Sequence, residues 1–104
     1  MDRSGTGVQM IRGFVMRQLF HFVAGKRHMQ FSSNNVLDAW LALEIYAKTR
    51  PVASEFRELP VEAWDQNGKK LATRTWDGWH REVLRDTYGN GYEEIINHAK
   101  ELMK

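Results

Sequence analysis

The sequence predicts an α+β fold: a small single domain with N-terminal helices, a central antiparallel β-hairpin or small sheet, and a C-terminal helix. Three observations carry this. Asn67-Gly68 lies between the β-compatible runs VEAWD and KKLATRTW, the strongest short hairpin signal a sequence offers. The stretch VLDAWLALEIYAKT follows a Ser-Ser-Asn-Asn cluster and precedes Pro51, so a helix is framed at both ends. Ile95, Ile96, Ala99, Leu102 and Met103 recur at helical spacing near the end of the chain. With 104 residues, the chain has the length of one domain.

Residues 1–7 are polar and Gly-rich and read as a flexible arm, leaving 8–104 as the folded domain. On a helix over 8–24, Ile11, Val15, Leu19, Phe22 and Val23 share one face, which Met16 extends, while Phe14 and Phe20 fall off it. Gly25 would cap that helix. The competing arrangement is a hairpin, with Leu19–Val23 and His28–Phe31 flanking AGKR; the helix is the favoured reading. The helix after Asn35 has Asp38 in its first turn and Lys48 in its last, which suits the helix dipole. The segment PVASEFRELP reads as an extended connector, with an edge strand at Glu55–Leu59.

For the hairpin, a type I turn with a Gly bulge pairs Asp65 with Lys69. That register puts Val61, Ala63, Leu71 and Thr73 on one face and Glu62, Trp64, Lys70, Arg74 and Trp76 on the other. Beyond it, Asp77 is suited to cap a helix from Trp79 to Tyr88 that ends at Gly89; the alternative is a second hairpin turn at Asp77-Gly78 and a third strand over 79–87. The stripe at 95–103 makes the last helix, with Glu93 and Glu94 at its start and Lys100 and Lys104 at its end.

Were 79–87 a strand, residues 35–103 would run helix, three strands, helix. That order resembles a double-stranded-RNA-binding domain, and Gly89-Asn90-Gly91 is similar to the Gly-x-Gly before that family's last helix. The resemblance implies phosphate-gripping lysines just beyond. Glu93 and Glu94 stand there instead, and the family's turn with proline and histidine is missing. RNA binding is therefore not carried over from the resemblance.

Composition excludes several chemistries. Without cysteine there are no disulfides, thiolate metal sites or thiol nucleophiles, which fits a cytoplasmic location. The most apolar stretch, 8–24, is interrupted by Arg12, Arg17, Gln18 and His21 and is no membrane span. Residues 3–37 contain no acid but carry Arg3, Arg12, Arg17, Lys26 and Arg27, a composition shared with mitochondrial targeting segments. Residues 1–50 sum to +4 and residues 51–104 to −2, which returns the formal net charge of +2. The basic front half hints at an acidic partner or a polyanion. Met10, Met16 and Met29 are all candidate starts, and the chain from Met29 onward reads as a compact unit by itself.

Candidate chemistry is sparse. The four histidines show no compact metal-ligand spacing beyond the Glu94, His98, Glu101 series on one helix face, so no metal and no cofactor is expected. His80 with Asp77, Glu82 or Asp86, and with Arg81, Arg85 and Tyr88 close by, is the kind of set used by small toxin-like endoribonucleases. Trp64 and Trp76 beside Lys70 and Arg74 on one sheet face would stack bases and track phosphates. Phe14 and Phe20, left over from the stripe of helix 8–24, suggest a homodimer through residues 8–24.

The expectation is thus a small non-catalytic binding or regulatory protein that acts through a protein partner and self-associates. Its contact residues would be Arg12, Arg17, Phe20, Lys26, Arg27, Trp64, Lys70, Arg74 and Trp76. A nucleic-acid-binding module using the hairpin face is the first alternative, and a small endoribonuclease the second. The first requires Trp64 or Trp76 exposed beside Lys70 and Arg74; the second requires His80 in a cleft with a carboxylate at hand.

Overall fold

The computed structural model describes residues 17–89 and 91–103. The arm expected over 1–7, the first part of the helix expected over 8–24, and Arg12 and Phe14 lie outside these residues.

Four strands form one antiparallel sheet: β1 (Gln18–Ala24), β2 (Arg27–Ser33), β3 (Val61–Trp64) and β4 (Lys70–Arg74). Their order across the sheet is β2-β1-β3-β4. Helices α1 (Val36–Thr49), α2 (Glu55–Glu58), α3 (Trp76–Tyr88) and α4 (Tyr92–Leu102) complete the fold, which is α+β as the sequence predicts.

The first element departs from the favoured reading. Residues 18–24 are a strand, paired with β2 through Ala24↔Arg27, Phe22↔Met29 and Phe20↔Phe31. Gly25 occupies the first turn position at φ +60°, where both primed hairpin turns require a positive angle. The cause lies in the position of β1. It is a central strand with apolar residues on both faces: Phe20, Phe22 and Ala24 are buried, and Leu19, His21 and Val23 are half-buried. Leu19, Phe22 and Val23 also sit at helical spacing, so periodicity alone does not separate the two states. The unit does not begin at Met29, because its central strand precedes that residue.

One face of the sheet carries the core. Phe22 meets Trp40 of α1 edge-on at 5.4 Å and Trp79 of α3 at 6.1 Å, and the two indoles stack at 5.6 Å. Leu43, Phe56, Val61 and Ala63 close the cluster. The Trp79 indole N–H donates to the Val61 carbonyl at 3.0 Å, so a large ring is buried without orphaning its one donor.

The helices obey local chemistry. Asn35 caps α1 by accepting from the Asp38 amide at 2.9 Å, and α1 ends just before Pro51. Glu55–Glu58 is a helical turn, not an edge strand; it buries Phe56 between the two prolines. Residues 79–88 are helical, which removes the third strand that the RNA-binding resemblance needs. The cap of α3 is Thr75, whose hydroxyl accepts from the Gly78 amide at 3.1 Å; Asp77 lies inside the first turn. Gly89 ends α3 at φ +81°.

The predicted buried stripe of α4 is not buried. Ile96 is half-covered, but Ile95, Leu102 and Met103 are 61, 74 and 84% exposed, and Ala99 is exposed as well. Tyr88, at the end of α3, is 64% exposed. The residues do recur at helical spacing on α4, but among the described residues nothing buries this face.

Candidate functional site

The β3–β4 hairpin makes the predicted turn. Asp65 N–H donates to the Lys69 carbonyl, Gly68 N–H donates to the Asp65 carbonyl, and Gly68 sits at φ +84°. The Asp65 carboxylate accepts from the amides of Asn67 and Lys69, both at 2.9 Å. A second irregularity then changes the faces. Trp64 pairs with Lys70, but Ala63 pairs with Ala72, so Leu71 is an extra residue on β4. Beyond it the side-chain phase reverses: Thr73 joins Glu62, and Arg74 joins Val61.

This splits the expected aromatic and cationic surface. Trp64 and Lys70 share the sheet face opposite the helices, with the Lys70 ammonium 5.6 Å from the ring. Glu62 is tied to both: it accepts from the Trp64 indole at 3.0 Å and pairs with Lys70 at 3.5 Å. Arg74 instead lies over Trp79 at 5.4 Å and reaches Glu82 at 3.8 Å. Trp76 belongs to α3, with Trp40 5.0 Å from its ring and Arg57 stacked over it at 4.3 Å. A strand of bases cannot contact both pairs at once.

The remaining predicted contact residues are also dispersed. Phe20 is 3% exposed and belongs to the core, so it is not a surface anchor for a dimer. Arg27 pairs with Glu55 at 3.2 Å, and exposed Lys26 sits beside it in the turn. Arg17 is at the other end of β1, where its guanidinium donates to the Ser32 carbonyl. Seven strand residues at ~3.3 Å each separate these two ends by roughly 23 Å. No common basic patch results from Arg17, Lys26 and Arg27.

Two clusters lie outside the sequence expectations. On the sheet face opposite the helices, His21 Nδ1 stands 2.8 Å from His28 Nε2, with the rings stacked at 4.9 Å. They line a shallow cavity of about 310 Å³ with Val23, Trp64 and Asp65. The hairpin alternative implies this cluster, since it places His28 opposite Val23 and two pairs away from His21, on the same face.

The second cluster is on the helices. His80 of α3 presents Nδ1 at 2.9 and 3.0 Å from the two oxygens of Glu44 on α1. Glu44 also accepts from the indole N–H of buried Trp40, one turn earlier. Its side chain is 12% exposed and that of His80 48%. A carboxylate only accepts, so Nδ1 carries the proton and Nε2 is left for other partners. Glu82 does not serve His80 but pairs with Arg85 at 2.6 Å. Because Glu44 is remote in sequence, only the tertiary packing of α1 on α3 joins the pair.

His80 lines a cleft of about 430 Å³ between α3 and α4, with Arg81, Leu84, Glu93, Ile96, Asn97 and Lys100 around it. Among the described residues, no three His, Asp or Glu side chains converge on a metal position, and no helix is long and apolar enough to cross a membrane. Comparison with protein-family models, curated proteins and solved structures returns no match, so geometry alone carries the functional argument.

Proposed function

We propose that the protein is a small binding and regulatory protein without catalytic activity, and that it assembles with a second copy of itself through α4. A cytoplasmic location belongs to the same reading. The observation that supports it is the outward apolar stripe of α4: Ile95, Leu102 and Met103, with Tyr88 beside it. Soluble monomers rarely leave such a row uncovered. The interface thus moves from residues 8–24, where Phe20 is committed to the core, to the other end of the chain.

A second copy is favoured by the spacing. Ala99 lies four residues after Ile95 and three before Leu102. A two-fold axis at Ala99 sets two antiparallel helices so that each Ile95 comes opposite the other's Met103, next to Leu102, and the small residue permits close approach. Burying what remains exposed of Ile95, Leu102 and Met103 in both copies is worth about 10 kcal/mol before costs. Association costs of ~4–15 kcal/mol leave a weak dimer, in the micromolar range or above. Sedimentation equilibrium from micromolar to near-millimolar protein tests it. The expected mass rises toward twice the monomer, and L102D holds it at the monomer. A monomer throughout, or a dimer indifferent to L102D, overturns the reading.

The Glu44–His80 contact favours one second reading, a small endoribonuclease in which Nε2 takes the proton of a ribose hydroxyl. It predicts cleavage of a short RNA that H80A abolishes. Absence of cleavage by the wild-type protein removes it.

A further inference from the structure

We infer that the cleft between α3 and α4 is a binding site for a small organic phosphate of nucleotide size. The ligand's phosphate would sit against His80, Arg81 and Lys100, and its apolar part on Leu84 and Ile96.

The cleft presents the necessary chemistry in two halves. His80 and Arg81 come from α3, and Lys100 stands on α4, so two helices converge on one volume. Glu44 prepares the histidine. By accepting from Nδ1–H with both carboxylate oxygens it fixes the ring's orientation. Arg81 offers a planar fork that matches two phosphate oxygens, and Lys100 adds a point charge. Asn97 adds an amide to the rim, and Glu93 leaves the charged side chains of the lining with a net positive balance. Leu84 and Ile96, both half-buried, form the apolar portion. A volume of about 430 Å³ falls in the range of small-molecule sites and is too small for a folded partner.

The phosphate side of the site uses none of the side chains of the self-association proposed above. Ile95 and Leu102 are exposed on α4, with Ile95 beside Leu84, Tyr88 and Ile96, whereas His80, Arg81 and Lys100 line the cleft.

The test is calorimetric titration of the full chain with adenosine monophosphate, adenosine and inorganic phosphate, repeated on R81A and H80A. Arg81 is exposed, so R81A leaves the fold intact. Saturable binding of adenosine monophosphate, weaker binding of inorganic phosphate and none of adenosine are expected. R81A and H80A should each weaken adenosine monophosphate by about tenfold or more, the scale of one lost charge-assisted contact. Equal binding by the variants and the wild type overturns the site. So does an absence of saturation by adenosine monophosphate, or binding by adenosine as tight as by its phosphate.

Discussion

Replacing Glu44 with leucine should expose how much one half-hidden carboxylate holds together. Glu44 accepts from the indole of Trp40, which is fully buried, and from His80, which is half exposed. In E44L the Trp40 N–H loses its acceptor inside the core, at a cost of about 1–3 kcal/mol. The His80 contact adds about 0–1 kcal/mol, because solvent screens it. E44Q behaves differently. Its amide oxygen still accepts from Trp40, so only the charge assistance is lost, about 1 kcal/mol. Against a total stability of about 5–15 kcal/mol for a small domain, E44L is a large loss and E44Q a small one. Urea unfolding followed by far-ultraviolet circular dichroism reads both. The slope should stay constant while the midpoint falls in the order wild type, E44Q, E44L. The cycle with W40F isolates the cause: once the indole donor is gone, E44L should add little beyond the His80 contact. If E44L unfolds at the wild-type midpoint, or costs as much with Phe at position 40 as with Trp, the hydrogen-bond argument is wrong.

Other substitutions probe other joints. T75A should destabilise by about 1 kcal/mol through loss of the α3 cap, while D77A costs less, and chemical denaturation of the pair distinguishes the two residues. G25A should cost about 1–2 kcal/mol, since a side chain at φ +60° is strained and its Cβ would stand 3.0 Å from Leu59; a thermal melt unchanged from wild type would count against the turn assignment. Glu55 is held below the usual carboxylate range by its own backbone N–H at the start of α2 and then by Arg27. Its contribution is therefore complete above the ordinary carboxylate pKa and disappears as pH falls through the lowered value. E55Q should flatten that part of the acid melting curve, and parallel Tm-against-pH curves for E55Q and wild type would refute the assignment.

What the sequence disclosed depended on whether a signal was local. The Asn35 cap, the Asp65–Gly68 turn and the Gly89 stop are short-range chemistry, and each is where the residues indicate. β1 is not legible as a strand by periodicity, because a central strand with apolar residues on both faces satisfies a helical stripe as well as an alternation. The hairpin faces failed at Leu71, because a bulge is a property of the pairing and leaves no mark in the composition of one strand. Trp64 with Lys70 survived that error, lying on the turn side of the bulge; Arg74 and Trp76 did not. The α4 stripe was legible as a period, but burial depends on a covering element that a period does not supply. Glu44 and His80 could not be paired from sequence, since nothing local joins α1 to α3 at that level.

The strand order β2-β1-β3-β4 also sets how the chain must assemble. Each outer pairing closes through a turn of a few residues, so both hairpins can zip on the microsecond scale by themselves. The central pairing of His21 with Trp64 must close a loop of roughly forty residues that contains all of α1. Its entropic cost is met only when Trp40 lands on Phe22 and the two half-sheets meet beneath it. The rate-limiting event expected from this order is the docking of the two hairpins around one helix. Substitutions at Phe22, Trp40 and Ala63 should then slow folding, while those at Trp79, arriving with α3 from beyond the second hairpin, should mainly speed unfolding, and stopped-flow folding and unfolding rates read the difference.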